Sequence, residues 1–582
     1  MTATLPLYLQ KPPLAPSPAF GTLRRDGDLW VLEGDPQVVI QAKRLFPGSS
    51  GRGNGLAKFP ANRRTFADLV WFMQRWPLTV LDRARWEAEY AATVEHVTRR
   101  AALLEAPTVA TPPPLFTGRL RPFQGEGLAW MQANTRTLLA DEMGLGKTPT
   151  ALALLASLGQ WPVLIVPPPH LVRHWEQKIG EFLATAQDDG LFGRADGVRP
   201  ITLRGMKPYP IPEEASIVLC HYLLLRGWRR ALAAKRFPVI VFDEIQELRR
   251  GESEKYSAAS HIAGEASCVY GLSGTPIYNR GGEIWHVMNI LDYHSLGDWD
   301  SFTREWCTGY GSDTIRHPDV LGAFLRREGL LLRRRKEDVL DDLPPKRRVV
   351  ETVEAKEGIA ADLIAVARAQ AKAAAATSDH LERGRLDREA INSARQATGI
   401  AKAPAVGLFV RGLLEADEPT LVFAYHHAVV DKLLWDLREF KPVCITGRET
   451  GAQKWEAQEA FRTGKTNVVI ISLRAATGLD GLQERARAVV FAELDWAPAV
   501  HTQAEDRAHR MGQQDSVLCY YLVLETEEST DPIVMEALGL KVSQFVGLMG
   551  DTPEDPGAQA LAGQDISAHL HRVLEVLRRK AA

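Results

Sequence analysis

Short apolar runs alternate with longer stretches of helical spacing between residues 115 and 345. The runs are "RTLLA", "PVLIVPP", "SIVLC", "FPVIVFDE" and "CVYGLSG". Each is β-branched or Leu-rich without polar alternation, as a strand buried on both faces requires. Strands that alternate with helices predict an α/β lobe on a mainly parallel sheet. The same rhythm returns with "PTLVFAYH", "PVCITG", "NVVIISL", "RAVVFAEL" and "SVLCYYLVLE", so a second α/β lobe follows in tandem. Between the series, residues 355–405 are rich in Ala, Arg and Gln at helical spacing and predict an antiparallel helical insertion.

The N-terminal texture differs. A Pro-rich start, "DLWVLEG", "PQVVIQAKRLFPG", a Gly-rich turn and "FADLVWFMQRWP" predict a small α+β module, ended by the linker "APTVATPPPL". The expected division is residues 1–112 for this module and 113–345 for lobe one with a helical protrusion. Lobe two takes 346–550, and a linker and amphipathic helix, "ISAHLHRVLEVLRRK", close the chain at 551–582.

Composition narrows the function classes. A chain of 582 residues exceeds what one core organises, and its formal net charge of −2 excludes a broadly basic nucleic-acid coat but not a local groove. Five dispersed cysteines show no zinc spacing and suggest a reducing compartment. The prolines near the start break any signal peptide, and no window reads as a membrane span. The expectation is a cytoplasmic protein, of bacterial or viral origin because no reader or zinc-finger pattern accompanies the lobes, or a nuclear one if the source is eukaryotic, with no membrane partner.

The chemistry starts at "LLADEMGLGKTPTALALLA". Gly144 and Gly146 permit backbone geometries that let loop N–H groups converge on an anion at the next helix's N-terminus. Lys147 would then meet the β- and γ-phosphates of a nucleotide, and Thr148 would hold Mg²⁺. The loop departs from the GxxxxGK[ST] pattern, because its first position is Asp141. Its partner is "FPVIVFDEIQEL", which puts Asp243 and Glu244 at the carboxyl end of an apolar strand, where α/β sheets keep their ligands. Asp243 suits the magnesium shell and Glu244 suits orienting and deprotonating water. In "QAEDRAHRMGQ", Arg507 and Arg510 share a face if helical. They could form an exposed stripe or fingers reaching across a cleft to the γ-phosphate.

Taken in order, these segments resemble the Swi/Snf-type ATPases of helicase superfamily 2, which have two RecA-like lobes. The carrying motifs are "LRPFQGEGLAWM", "DEMGLGKT", "LIVPPPHLVRHWEQKI", "DEIQ", "GLSGTPIYN", "LVFAYHHAVVDKL", "IISLRAATGLDGLQ" and "QAEDRAHRMGQ". The non-glycine Asp141 is part of that family's own form. "VVFAELDWAPAVHTQAEDRAHRMGQQDSV" is similar to the HepA-related, annealing-helicase branch.

The resemblance implies ATP and Mg²⁺ as cofactors. It carries Gln124 to the adenine, and Gly144, Leu145, Gly146, Lys147, Thr148 and Asp480 to the nucleotide. Gln246, Ser273, Thr275 and Gly478 would couple nucleotide to nucleic acid, and Gln503 would sit beside the γ-phosphate with Arg507 and Arg510. Gln246 stands where the branch more often has histidine, and Ala424-Tyr425 where many relatives have Ser-Gln.

The implied partner is double-stranded DNA, forked or blunt, tracked through His170, Arg173, His174, Thr275 and Arg474. Arg333 to Lys336 would face DNA, lie in a solvated junction, or brace the lobes. The expected function is an ATP-dependent double-stranded-DNA translocase that remodels DNA or protein–DNA complexes, reanneals strands or acts at forks. The alternatives are a motor acting on RNA polymerase or a defence complex, docked through residues 1–112 or the C-terminal helix, and an RNA-directed helicase.

Overall fold

Apolar runs buried on both faces build two of the three sheets found among the described residues. The computed structural model describes residues 9–536 and 538, apart from 47–48, 62, 186–196, 275–280, 310–311, 341, 356–360, 474–480 and 527–528. The C-terminal linker and helix expected at 551–582 therefore lie outside the described residues.

The first sheet contains β1 (Gly21–Asp26), β2 (Leu29–Gly34), β3 (Leu56–Pro60) and β4 (Thr79–Val80) in the order β3-β2-β1-β4, with only the β1–β4 pair parallel. Helix Pro36–Leu45 adds Val38, Val39 and Ala42 to its core and helix Arg63–Arg75 adds aromatics, and Trp30 lies 5.9 Å from both Phe66 and Trp86. Asp35 starts the first helix by accepting from the Gln37 N–H (2.8 Å), with Pro36 in the first turn, where its missing N–H costs little. The α+β module expected at the N-terminus is present. Its last helix, Arg83–Glu105, reaches lobe one, where buried Arg100 donates to the Glu328 carbonyl (2.8 Å) and carboxylate (3.3 Å).

Lobe one carries β5 (Arg136–Leu139), β6 (Val163–Val166), β7 (Pro200–Thr202), β8 (Ile217–Leu219), β9 (Val239–Asp243), β10 (Cys268–Leu272) and β11 (Leu331–Leu332). All its pairs are parallel, in the order β11-β5-β10-β9-β6-β8-β7. The five strands expected from the apolar runs are β5, β6, β8, β9 and β10. The other two, β7 and β11, are too short to show a pattern. Register matters here: Leu272 pairs with Leu139 on one side and Asp243 on the other, so β5, β10 and β9 end in one row.

Lobe two is again wholly parallel. It comprises β12 (Lys346–Val353), β13 (Thr420–Ala424), β14 (Val443–Ile445), β15 (Val468–Ser472), β16 (Ala488–Phe491) and β17 (Val517–Leu524), ordered β12-β17-β16-β13-β15-β14. β12, "KRRVVETV", was not expected. It is a largely exposed edge strand whose charges mask the apolar signal.

The insertion forms helices Ala361–Ala376 and His380–Glu415, packed through Ala367, Ala371, Ala390 and Ala394. The second helix runs on under the sheet, burying Val406 and Val410, while fully buried Lys402 donates to the Leu522 carbonyl (2.7 Å) and to Asp531 (2.6 Å). By length and composition alone this helix is apolar enough to cross a membrane, contrary to the sequence expectation, but its apolar side is spent on the lobe-two core.

Candidate nucleotide and inter-lobe site

After β5 the chain turns through Asp141–Gly146, with Gly144 at φ +85° and Gly146 at φ +76°. At Gly146 a β-carbon would run into the Gln124 amide, and at Gly144 it would come within 2.8 Å of the Arg510 β-carbon. Both glycines are therefore required by backbone sign and by close approach. The helix Lys147–Leu158 begins at Gly146 without a side-chain cap, so its first N–H groups are available to an anion. Thr148 is half-buried in that first turn. Leu145 is buried, and its carbonyl accepts from the Gln124 amide (3.0 Å), while the Gln124 oxygen accepts from the Arg121 N–H (2.9 Å). Gln124 thus braces the loop from beneath.

Lys147 donates to the carbonyls of Asp141 (2.7 Å) and Glu142 (3.2 Å). Burial lowers its pKa, opposed by the charges of Glu244, Asp141 and Asp243. Asp141 itself accepts from the Arg334 backbone (3.1 Å) and Nε (3.0 Å) and pairs with its guanidinium. That ion pair is what the departure from glycine provides, and only the departure hinted at it.

One strand over, the Asp243 carboxylate accepts from the Trp175 indole N–H (2.7 Å) and the Glu244 N–H (3.0 Å). Burial first, then the Glu244 charge, push the Asp243 carboxyl up, while Trp175 and Lys147 act against that shift. Glu244 sits at φ +50°, a left-handed conformation rare outside glycine and concentrated at functional sites. Its carboxylate accepts from the Gln246 amide, and Gln246 accepts in turn from the Ser273 hydroxyl (2.7 Å). Three side chains expected to work together are thus in one chain of hydrogen bonds across β9 and β10. Thr275, Arg474, Gly478 and Asp480 lie outside the described residues.

The arginine segment does not meet the condition of a shared helix face. The helix Pro498–Glu505 contains buried Gln503 but stops before Arg507, so Arg507 and Arg510 lie in turns rather than on a helix face. Buried partners end the helix. Glu505 is held by Lys346 (2.9 Å), Arg348 (2.7 Å) and the Tyr521 hydroxyl (2.8 Å). Lys336 Nζ donates to Asp506 (2.6 Å) and to the His509 carbonyl, and Gln513 donates to the Ala508 carbonyl (2.9 Å). Burial alone would raise the Glu505 pKa, but Arg348 and Lys346 hold it well below the usual range. His509 is driven down to about 4 by burial and the Lys336 charge.

Of the three readings left open for Arg333 to Lys336, the structure shows the brace. Arg333 donates to the carbonyls of Ala140 (2.9 Å) and Gly274 (3.3 Å), Arg334 holds Asp141, and the Lys336 N–H donates to Glu142 (2.7 Å). Arg333, Arg334 and Lys336 thus hold the phosphate loop, and Lys336 also reaches the arginine segment of the other lobe.

His170 lies in the turn Pro169–Leu171, with Arg173 and His174 on the helix Val172–Phe182. Desolvation lowers the His170 pKa; Glu247 opposes it, and Arg507 and Lys454 of lobe two reinforce it. The Arg173 guanidinium approaches Gly451 of lobe two, 3.5 Å from where its β-carbon would be. His170 and Arg173 thus lie at the mouth of the cleft between the lobes.

Two parallel-sheet lobes with a phosphate loop, an acidic pair and an arginine segment at their junction define a helicase-like, two-lobe architecture with a candidate nucleotide site. Residues 123–360 match the SNF2-related domain and residues 406–512 the helicase conserved C-terminal domain. The chain thus carries an SNF2-related domain followed by a helicase conserved C-terminal domain. It is 29% identical over 466 residues to a Caenorhabditis elegans homolog of SWI/SNF-related matrix-associated actin-dependent regulator of chromatin subfamily A-like protein 1, covering 75% of this chain and 63% of that one. It is 28% identical over 438 residues to the human DNA annealing helicase and endonuclease ZRANB3, covering 71% and 39%. The likeness to the annealing-helicase branch is borne out, although the chain spans less than two thirds of these relatives' lengths. Both are animal proteins and lend no support to the expected bacterial or viral origin. The Sulfolobus solfataricus SWI2/SNF2 ATPase core solved with dsDNA is 19% identical, covers 80% of this chain and 99% of its own, and has a TM-score of 0.38.

Proposed function

We propose that this chain is an ATP-driven double-stranded-DNA translocase that remodels DNA or protein–DNA complexes, reannealing strands or acting at forks. The observation that carries the reading is the row of strand ends at Leu139, Leu272 and Asp243, faced across the junction by Arg510 against Gly144. Lys147 would exchange its two carbonyl partners for the β- and γ-phosphates. Mg²⁺ fits the donors present: a hydroxyl at Thr148 and a carboxylate at Asp243 are the hard oxygens it takes, with phosphate and water completing the shell. Glu244 would orient and deprotonate the attacking water, positioned by Gln246. Arg507 and Arg510 would meet charge developing on the γ-phosphate, so that hydrolysis depends on lobe closure and closure moves the track. Gln124, Leu145 and Gln503 shape the pocket in this reading, Gly478 and Asp480 sense the ligand from lobe two, and Ser273 and Thr275 couple it to DNA. The track would use His170, Arg173, His174, Thr275 and Arg474, gripping phosphates without reading bases.

The boundaries 1–112, 113–345, 346–550 and 551–582 are the working division. A protein partner would dock through the first or the last. Steady-state ATP hydrolysis tests the proposal, with Glu244→Gln as control and single strand, blunt duplex, forked duplex and RNA duplex as ligands. Stimulation by DNA duplex or fork that fades with salt supports it; turnover indifferent to DNA overturns it and redirects attention to residues 1–112.

A further inference from the structure

A second cleft, of about 700 Å³, opens on lobe one just beyond the acidic pair. Its walls include Arg249, Arg250, Glu252, Trp285, His286 and Trp299. The two indoles meet as a corner, with centroids 5.3 Å apart and planes at 75°, and His286 stacks behind Trp299 at 5.6 Å and 20°. The corner is rigid. The Trp285 N–H donates to the Gly297 carbonyl (3.1 Å), and Trp299 opens a helix capped by Asp298 on the Ser301 N–H (2.7 Å). Both tryptophans are nevertheless only half-buried, although indoles of this size are usually covered. Gly251 packs on the His286 edge so closely that a β-carbon there would stand 2.8 Å from Nδ1.

The cations at the rim differ. Arg249 is engaged, donating to the Gln246 carbonyl (3.0 Å) and lying 3.6 Å from Glu283. Arg250 is exposed, and among the described residues its guanidinium meets no carboxylate. An aromatic corner beside a solvent-facing guanidinium is the combination that takes a nucleobase on its face and its phosphate on the cation. A proline-rich peptide would use the aromatic faces but leave Arg250 idle.

The position agrees with a nucleic-acid ligand. Glu247, two residues before Arg249, is close enough for its charge to act on His170 at the mouth of the lobe cleft. Arg249 also touches Gln246, whose amide holds Glu244. We infer that this cleft is a stacking site for one unpaired nucleotide, with the base on the Trp285–Trp299 corner and its phosphate on Arg250. Its occupancy is reported to Glu244 through Arg249 and Gln246. The binding site stands independently; only that relay rests on the translocase reading.

The test is equilibrium binding to the full chain without ATP, read by tryptophan quenching and by anisotropy of labelled DNA. The probes are oligothymidine, the same oligomer with abasic sites, and blunt duplex. The variants are Trp299→Ala, Trp299→Phe and Arg250→Ala. Stacking of one base is worth ~1–3 kcal/mol, so Trp299→Ala should weaken oligothymidine binding by roughly 5- to 150-fold while Trp299→Phe retains most of it. Arg250→Ala should give a smaller, salt-dependent loss. Abasic oligomer should bind the unaltered chain as weakly as oligothymidine binds Trp299→Ala, and blunt duplex should be indifferent to all three changes. Equal binding of abasic and normal oligomers, equal losses on blunt duplex, or displacement by a proline-rich peptide alone would overturn the site. The abasic comparison needs no variant, so it stands even if Trp299→Ala does not fold. Absence of DNA-stimulated turnover beside normal abasic discrimination would defeat the motor and keep the site.

Discussion

The phosphate loop of lobe one and the arginine segment of lobe two face each other, but they are shaped by different means. The loop takes its backbone path locally, from two left-handed glycines, a lysine and an uncapped helix within a few residues, and is then braced by Gln124 and Arg334. The arginine segment is shaped from a distance. Its helix stops at Glu505 because Lys346, Arg348 and Tyr521 hold that carboxylate, and because Lys336 takes Asp506 and the His509 carbonyl. A path set by backbone sign persists when one brace is lost, whereas a turn set by distant ion pairs is exposed to the loss of each partner.

The sharpest way to use that contrast is to remove chemistry from the local site without altering its shape. Glu244→Gln should reduce DNA-stimulated ATP hydrolysis by about 10²- to 10⁴-fold, the range of general-base catalysis, and leave DNA binding intact. Steady-state turnover and filter binding read both quantities.

Breaking the distant site should cost stability as well as activity. Lys336→Ala leaves the Asp506 carboxylate buried without its cation, and should destabilise lobe two by about 3–5 kcal/mol in a denaturant melt. Lys336→Met with Asp506→Leu removes both charges and should recover much of that loss. If recovered stability does not restore turnover, Lys336 acts as the link between the lobes and not merely as a countercharge.

A smaller effect tests the loop's shape. Gly146→Ala forces a side chain onto left-handed backbone and into Gln124, for an expected loss of about 1–3 kcal/mol, with weaker binding of a fluorescent ATP analogue. Gly159, also left-handed but facing open space, is the control: Gly159→Ala should show the backbone penalty without the loss of nucleotide binding.

The smallest expected effect is pH dependence in lobe two. His509 has a folded pKa near 4, below its ordinary value, so the folded state keeps it neutral while the unfolded chain takes up a proton first. Its contribution to stability is complete above about pH 6.5 and is lost as pH falls toward 4. Thermal melts across that window should show a falling Tm, and His509→Gln should flatten the slope.

The sequence was most informative where one element carries the whole signal. The strand runs, the glycines at 144 and 146, and the acids at 243 and 244 are legible because burial periodicity and backbone sign are local properties. β12 was not legible, because a charged edge strand looks like a solvated segment. Whether Arg507 and Arg510 share a helix face was left open by the sequence for a related reason. "QAEDRAHRMGQ" has acceptable helical propensity, and nothing within it reveals that Lys336, far away in the chain, will take its carbonyl and its carboxylate.

The sequence by itself determined two parallel-sheet lobes, a phosphate loop and the acids that answer it, since each follows from local pattern. Only the tertiary structure decided that Asp141 pairs with Arg334, that Lys336 ties the phosphate loop to the arginine segment, and that Trp285 and Trp299 line one cleft with Arg250. Those juxtapositions depend on which distant groups are desolvated together. Desolvation belongs to the folded chain, not to any window of it.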